Sequence, residues 1–217
     1  MYERRVLIIE DEALLRDLLA QTLTAQGFSA LTAANALEAR AIFDEEDLDA
    51  VIVDINLGGG VDGFDVAEAM VRESPELGIL FLTNLPDPRF SGHESASVLR
   101  RAAYLRKSQL VGSNELVDAL EAVLSGHVGS GYRHDKDPNR PLAQLSRMQL
   151  SVLKLVAMGK SNQQIATERE RSLGAVESML SRIFALLDIE STSEGNARVE
   201  AARRYMAAAG IPVTTEA

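Results

Sequence analysis

The chain predicts an α/β fold, a doubly wound parallel sheet of five strands, followed by a small all-α domain. Three observations carry that expectation. In Asp49-Ala50-Val51-Ile52-Val53-Asp54-Ile55-Asn56 the β-branched run does not alternate with polar residues, as expected of a strand buried on both faces of a parallel sheet. Up to Gly126, short apolar runs take turns with segments of helical spacing. Beyond residues 126–141, rich in Gly, Pro and charge, the pattern becomes wholly helical. The expected organisation is one domain over 1–125, a linker over 126–141 and a second domain over 142–217.

Taken in order, Val6–Ile9 is a short strand running into Glu10-Asp11-Glu12. Leu14, Leu15, Leu18, Leu19 and Leu23 keep helical spacing from Ala13 to Gln26, and Gly27 suits the stop. Phe28–Leu31 reads as a second strand and Asn35–Glu46 as a helix with Leu37, Ala41 and Ile42 inward. After the Asp54 strand come Gly58-Gly59-Gly60, a helix over about Phe64–Arg72 closed by Ser74-Pro75, and a buried strand Gly78–Thr83. Pro86, Pro88 and Gly92 break any early helix, leaving Glu94–Arg101 as the fourth. Ala103-Tyr104-Leu105 leads to Lys107, and Ser113 is expected to cap a fifth helix stopped by Gly126. His127 and His134 in the linker read as solvated side chains.

In the second domain Ser146-x-x-Gln149 and Ser161-x-x-Gln164 both fit a capping box. The helices they open carry Leu150, Val152, Leu153 and Val156, then Ile165 and Ala166. Ser172 caps a third helix striped with Val176, Met179, Leu180, Ile183 and Leu187. A fourth, about Ala197–Ala209, carries Val199, Ala202, Tyr205 and Met206. A short helix, a tight turn and a second helix make a helix-turn-helix.

Composition narrows the chemistry. The apolar share is 46% and the charged share 25%, ordinary for a soluble globular protein. With no Cys there is no disulfide, thiol catalysis or Cys-based zinc site. No membrane span or signal peptide is evident, so a cytoplasmic location is expected. The net charge of −10 is uneven: residues 1–126 carry 10 basic and 22 acidic side chains, residues 127–217 carry 12 and 10. The two parts are therefore electrostatically different bodies.

Ligands of open α/β sheets bind beyond the carboxyl ends of the strands. There the sequence places Glu10, Asp11, Asp54, Thr83 and Lys107, a set suited to phosphoryl transfer. A carboxylate such as Asp54 is a nucleophile toward a phosphoryl donor. Clustered carboxylates bind Mg²⁺, and Mg²⁺ with a lysine neutralises the transferred group. A hydroxyl such as Thr83 can hydrogen-bond the new phosphate. No Gly-rich dinucleotide motif follows a strand, which argues against a small-molecule enzyme of similar fold.

On these residues, 4 to about 125 resemble the flavodoxin-like receiver domain of two-component response regulators. Residues 142–209 resemble the LuxR/NarL-type (NarL/FixJ family) helix-turn-helix output domain, carried by Leu145–Ala166 and by Val176, Leu180, Ser181, Arg182, Ile183, Phe184, Leu187 and Ile189. The resemblance implies that Glu10, Asp11, Asp54 and the Asn56 carbonyl hold Mg²⁺, that a partner histidine kinase phosphorylates Asp54, and that Thr83, Lys107 and Tyr104 contact or follow the phosphate. It implies no enzyme beyond Mg²⁺-dependent self-phosphorylation and slow dephosphorylation. Phosphorylation is expected to promote a homodimer, with DNA as the partner and no membrane role. The Gly58–Gly60 loop, Asn84 after Thr83, and the long Pro-interrupted stretch to Lys107 depart from the family, and bear on its fourth helix.

By resemblance the helix over Leu173–Leu187 is the recognition helix. A helical wheel leaves Gly174, Glu177, Ser178, Ser181, Arg182 and Ala185 outward, one acid and one base among small or neutral groups. Arg169 and Arg171 stand where relatives have apolar residues, and Met179 where they have His. Lys160, Ser172, Gly174, Ser178, Ser181 and Arg182 are the expected DNA-contacting positions. The alternative is a phosphorylation-switched regulator whose helix-turn-helix binds protein.

Overall fold

The computed structural model describes residues 3–58, 61–93, 97–110, 112–189 and 197–211. They form two compact units, and both are discontinuous in sequence. The first comprises 1–84 and 93–137, the second 85–92 and 138–217.

In the first unit, β1 (Arg5–Ile9), β2 (Ser29–Ala33), β3 (Ala50–Val53), β4 (Gly78–Thr83) and β5 (Ala103–Arg106) make one parallel sheet in the order β2-β1-β3-β4-β5. The crossover helices are α1 (Ala13–Ala25), α2 (Ala36–Glu45) and α3 (Gly63–Glu73), with α4 (Ser113–Leu124) after β5. Successive side chains of a strand face opposite sides. Val6, Ile8, Ile52, Leu80, Leu82 and Leu105 therefore pack in one cluster with Leu19 and Leu23 of α1 and Leu116, Ala119, Leu120 and Val123 of α4. On the other face Phe64 of α3 meets Phe81 of β4, ring centroids 4.3 Å apart. β3 and β4 are buried throughout, which is why their sequences do not alternate.

Local chemistry sets the helix ends. The side chains of Asn35 and Asp62 accept hydrogen bonds from the amides of Glu38 and Phe64, capping α2 and α3. Gly27 and Gly126 follow α1 and α4 at φ of 87° and 74°, where a β-carbon would be strained.

Several expectations need correction. A helix against a sheet buries one stripe, so α1 buries Leu19 and Leu23 while Leu14 and Leu18 stay in water. On α2 the buried position is Ala39, and Leu37 and Ala41 are exposed. The expected fourth helix is not an α-helix among the described residues: Pro88–Phe90 and Ser97–Arg100 are 3-10 turns. Residues 94–96, where that helix was to begin, lie outside the described residues. Ser113 makes no side-chain cap, and Gly112 stands at that position of α4.

His134 is not solvated. Its Nδ1 accepts from the Arg106 amide at 3.1 Å and its Nε2 lies 3.2 Å from Glu115. Around it Tyr104 and Arg133 form a parallel bridge, and Asp135 is buried against the Arg133 guanidinium at 2.8 Å. This strap covers the outer edge of β5, whose backbone groups would otherwise be unpaired. His127 is exposed, as expected.

In the second unit α5 (Arg147–Ala157), α6 (Asn162–Glu168), α7 (Leu173–Leu186) and α8 (Ala197–Ala208) pack through α5–α7, α5–α8 and α6–α7. Both capping boxes form: Ser146 and Ser161 accept from the amides of Gln149 and Gln164, whose side chains accept from the serine amides at 2.8 Å. Leu150, Leu153, Ile165, Val176, Leu180, Ile183 and Leu187 are buried. On α8 the buried residues are Ala201, Tyr205 and Ala208, and Val199, expected inward, is exposed. No helix among the described residues is long and apolar enough to cross a membrane.

Candidate phosphoryl-transfer site and nucleic-acid interface

The strand register assembles the first site. Ile9 pairs with Val53, Val53 with Phe81 and Thr83 with Arg106, so all four strands end at nearly one level. The next residues of β1, β3 and β5 are Glu10, Asp54 and Lys107, and β4 ends on Thr83 itself. Backbone bonds hold this edge: the Asp54 amide donates to the Ile9 carbonyl at 3.0 Å and the Glu10 amide to the Ala33 carbonyl at 3.1 Å.

Lys107 ties the edge together. Its Nζ donates to Asp54 Oδ2 at 2.6 Å and lies 2.7 Å from Glu10 Oε2. Both carboxylates are nearly inaccessible to water. Burial opposes the lysine charge, yet Asp54 and Glu10 outweigh it and hold the ammonium above its ordinary range. Burial pushes the Glu10 carboxyl up, with Lys107 pulling the other way and Asp54 adding repulsion. The site is thus short of positive charge.

Glu10, Asp11 and Asp54 each offer a carboxylate oxygen within 4.8 Å of the others, a donor set that suits a hard divalent cation. Asp11 is exposed beside the two buried acids. The exposed Asn56 has its amide donating to Asp54 Oδ1 at 3.2 Å.

Two glycines shape the rim. Gly58 is at φ 65°, and a β-carbon there would stand 3.2 Å from Asp11 Oδ2. A β-carbon on Gly63 would lie 2.1 Å from the carbonyl oxygen of Asp54. Only glycine lets α3 start against the strand that carries Asp54.

Thr83 and Tyr104 are fully buried. The Tyr104 ring lies 6.2 Å from Phe81, in a row that continues through Phe64 to His93, stacked 5.2 Å from Phe64.

The second site is the outer face of α7. Ser172 accepts from the Ala175 amide at 3.2 Å, so its hydroxyl is occupied as a cap. Gly174, Glu177, Ser178, Ser181, Arg182 and Ala185 are exposed together, as the wheel places them. Ser181 Oγ donates to the Glu177 carbonyl and Arg182 Nε to the Ser178 carbonyl, at 3.0 and 3.2 Å. Lys160 is half-buried, 3.6 Å from Glu168. Arg169 turns inward to Ser151 Oγ at 2.9 Å and to Met148 Sδ, filling the place of an apolar residue with a hydrogen-bonded one.

Sequence reasoning missed a third constellation. Asp87, buried, pairs with Arg89 and Arg140, each at 2.6 Å. Its side chain also caps the turn Pro88–Phe90. The signal was present in Asp87-Pro88, an N-cap residue followed by proline at the first turn position, but the prolines read as breakers.

Similarity to known proteins divides the chain into two continuous stretches. The family described as response regulator receiver domain matches residues 6–120, and that described as bacterial regulatory proteins, luxR family, matches 143–195. The transcriptional regulatory protein LiaR of Bacillus subtilis is 27% identical over 215 residues, covering 93% of this chain and 98% of that protein. The oxygen regulatory protein NreC of Staphylococcus haemolyticus is 29% identical over 210 residues, covering 88% and 94%. Among solved structures, the complex of the two-component response regulator RcsB with DNA superposes with a TM-score of 0.60 at 19% identity, covering 95% of this chain and 99% of that one. A CheY-like receiver from Methanospirillum hungatei gives 0.50 at 22%, covering 57% and 95%.

Proposed function

The chain belongs to the family of response regulators that join a receiver domain to a LuxR-type DNA-binding domain, and we propose that phosphorylation of Asp54 by a histidine kinase switches its binding to DNA. The observation that carries this reading is the Lys107 bridge between Asp54 and Glu10 at the carboxyl edge of the sheet. It orients one oxygen of Asp54 and supplies a cation where a phosphoryl group would arrive. The Asp54 carboxylate attacks phosphorus, the P–N bond of a phosphohistidine donor breaks, and the leaving imidazole takes up a proton. Glu10, Asp11, Asp54 and the Asn56 carbonyl would hold Mg²⁺, which when bound neutralises the oxygens of the transferred group. Lys107 would then turn from carboxylate to phosphate oxygen. Thr83 would donate to the new anion, and Tyr104, fully buried beside Phe81, would follow it.

For the output, Lys160, Ser172, Gly174, Ser178, Ser181 and Arg182 are the proposed DNA contacts. Arg182 is the one base on the exposed face of α7 and Glu177 its one acid, so affinity per domain would be modest and strongly salt-dependent. A homodimer on two half-sites would add the contacts of two such faces. Work beside nucleic acid would put the protein in the cytoplasm.

The test is binding to labelled genomic fragments at about 50 and 200 mM salt, with and without Mg²⁺ and beryllofluoride, a non-transferable phosphoryl stand-in. Wild-type chain should retain selected fragments more tightly with the stand-in, and Asp54→Asn should not respond. No selective retention in either state, with beryllofluoride bound, would reassign α7 to a protein partner.

A further inference from the structure

The segment that follows the switch residue Thr83 is built into the helical unit. Only Asn84 separates Thr83, the last residue of β4, from Leu85, the first residue of that unit. One residue spans about 3.5 Å, so there is no slack loop between them. Leu85, Asp87, Pro88 and Phe90 are all buried. Asp87 pairs with Arg140, and Arg89 donates to the carbonyls of Leu142 and Leu145, immediately before the Ser146 cap of α5. Phe90 stacks on Tyr205 of α8, centroids 5.5 Å apart. The chain then returns to the first unit at His93, stacked on Phe64.

We propose that Leu85–Gly92 is a latch: at rest it is a structural part of the output domain, and movement of Thr83 toward a phosphoryl group on Asp54 withdraws it. The proposal rests on the reading of Asp54 and Thr83 given above. The residues that flank the segment, Asn84 and His93, belong to the sheet unit and the segment itself to the helical one, so a displacement at β4 must be taken up in the Asp87–Arg89–Arg140 and Phe90–Tyr205 contacts. Withdrawal removes the Arg89 donors from the carbonyls at the entry to α5 and the ring from α8. α5 and α8 are thereby loosened together, and the helical unit gives up a restraint supplied by the segment itself. The 3-10 turns between β4 and β5 fit this role, since an α-helix started directly after Thr83 would hold the segment on the sheet.

Hydrogen–deuterium exchange on the full chain tests the latch, with Mg²⁺ and beryllofluoride as the probe. In wild type, binding should protect the peptide around Asp54 and speed exchange over 85–92 and around Tyr205 by about tenfold. Asp87→Asn should exchange at the faster rate without the probe, with less than about twofold added by it. Should that variant lose protection in β1 and β3 as well, Phe90→Leu decides, because it leaves the ion pairs intact and should raise exchange over 85–92 and around Tyr205 without changing β1 and β3. Protection at Asp54 with unchanged exchange over 85–92 and α8 overturns the latch and leaves the phospho-acceptor reading standing. No protection at Asp54 overturns both.

Discussion

Gly63 shows how a single residue decides the geometry of the acid edge. Its absent side chain lets the backbone of α3 approach the Asp54 carbonyl, and its amide donates to the Ile55 carbonyl at 2.8 Å. Gly63→Ala would force the helix start and the Asp54 strand apart, costing about 2–3 kcal/mol, and thermal unfolding should report it. Beryllofluoride affinity should fall with it, since Asp54 moves relative to Glu10 and Lys107. Asp54, Thr83 and Lys107 were legible because each follows a buried apolar run whose end the sheet must place. Tyr104 needed the resemblance, because an aromatic in a strand is more often simply core. Its complete burial and its place in the ring row beside Phe81 emerge only from packing.

Among elements, the helix-turn-helix was the most readable part of the chain. A capping box is a local contract between residues three apart, so Ser161 and Gln164 announce α6 without tertiary help. Ser161→Ala should therefore destabilise the helical unit by about 1 kcal/mol, read as a lower melting temperature. The exposed face of α7 was legible for a similar reason, since one buried stripe fixes the rest of the wheel. Glu177→Lys replaces an acid by a base on that face. It should raise non-specific DNA affinity and steepen the salt dependence by about one unit of log–log slope. An unchanged slope in a salt titration would mean that α7 does not lie against phosphates. The leucines of α1 misled for the opposite reason. Leu14 and Leu18 keep the same period as Leu15, Leu19 and Leu23, and only the position of the sheet chooses between adjacent stripes.

For the whole molecule, the consequential feature is that both compact units are discontinuous. Asp87 joins the two stretches of the second unit, pairing within 85–92 with Arg89 and across to Arg140. Burial alone would raise its carboxyl, but Arg89 and Arg140 hold it below the ordinary carboxylate range. A depressed folded-state value means that the stabilisation is complete above the unfolded value, near 3.8, and is lost as pH falls through the folded one. Asp87→Asn removes the buried anion that pairs with two half-buried guanidinium groups, and should cost about 3 kcal/mol at neutral pH. Melting curves from pH 7 down to 2 should show wild type and variant converging in the acid range. A gap that persists unchanged to pH 2 would mean that the triad does not stabilise the fold.

By itself the sequence determined the parallel sheet, the acid edge and the helix-turn-helix. Each of these is written in local terms: buried β-branched runs, the residues that end them, and caps that act over three positions. Tertiary structure alone decided which leucine stripe meets the sheet, that residues 130–136 strap β5, and that the Asp87 segment belongs to the helical unit. These outcomes join residues far apart in the chain, such as Arg106 with His134 or Phe90 with Tyr205, through contacts that no short-range periodicity encodes. The prolines around Asp87 show the limit most directly. Proline breaks a helix interior but can open a turn, as Pro88 does behind Asp87, and where the freed segment then packs is settled by the partners it finds.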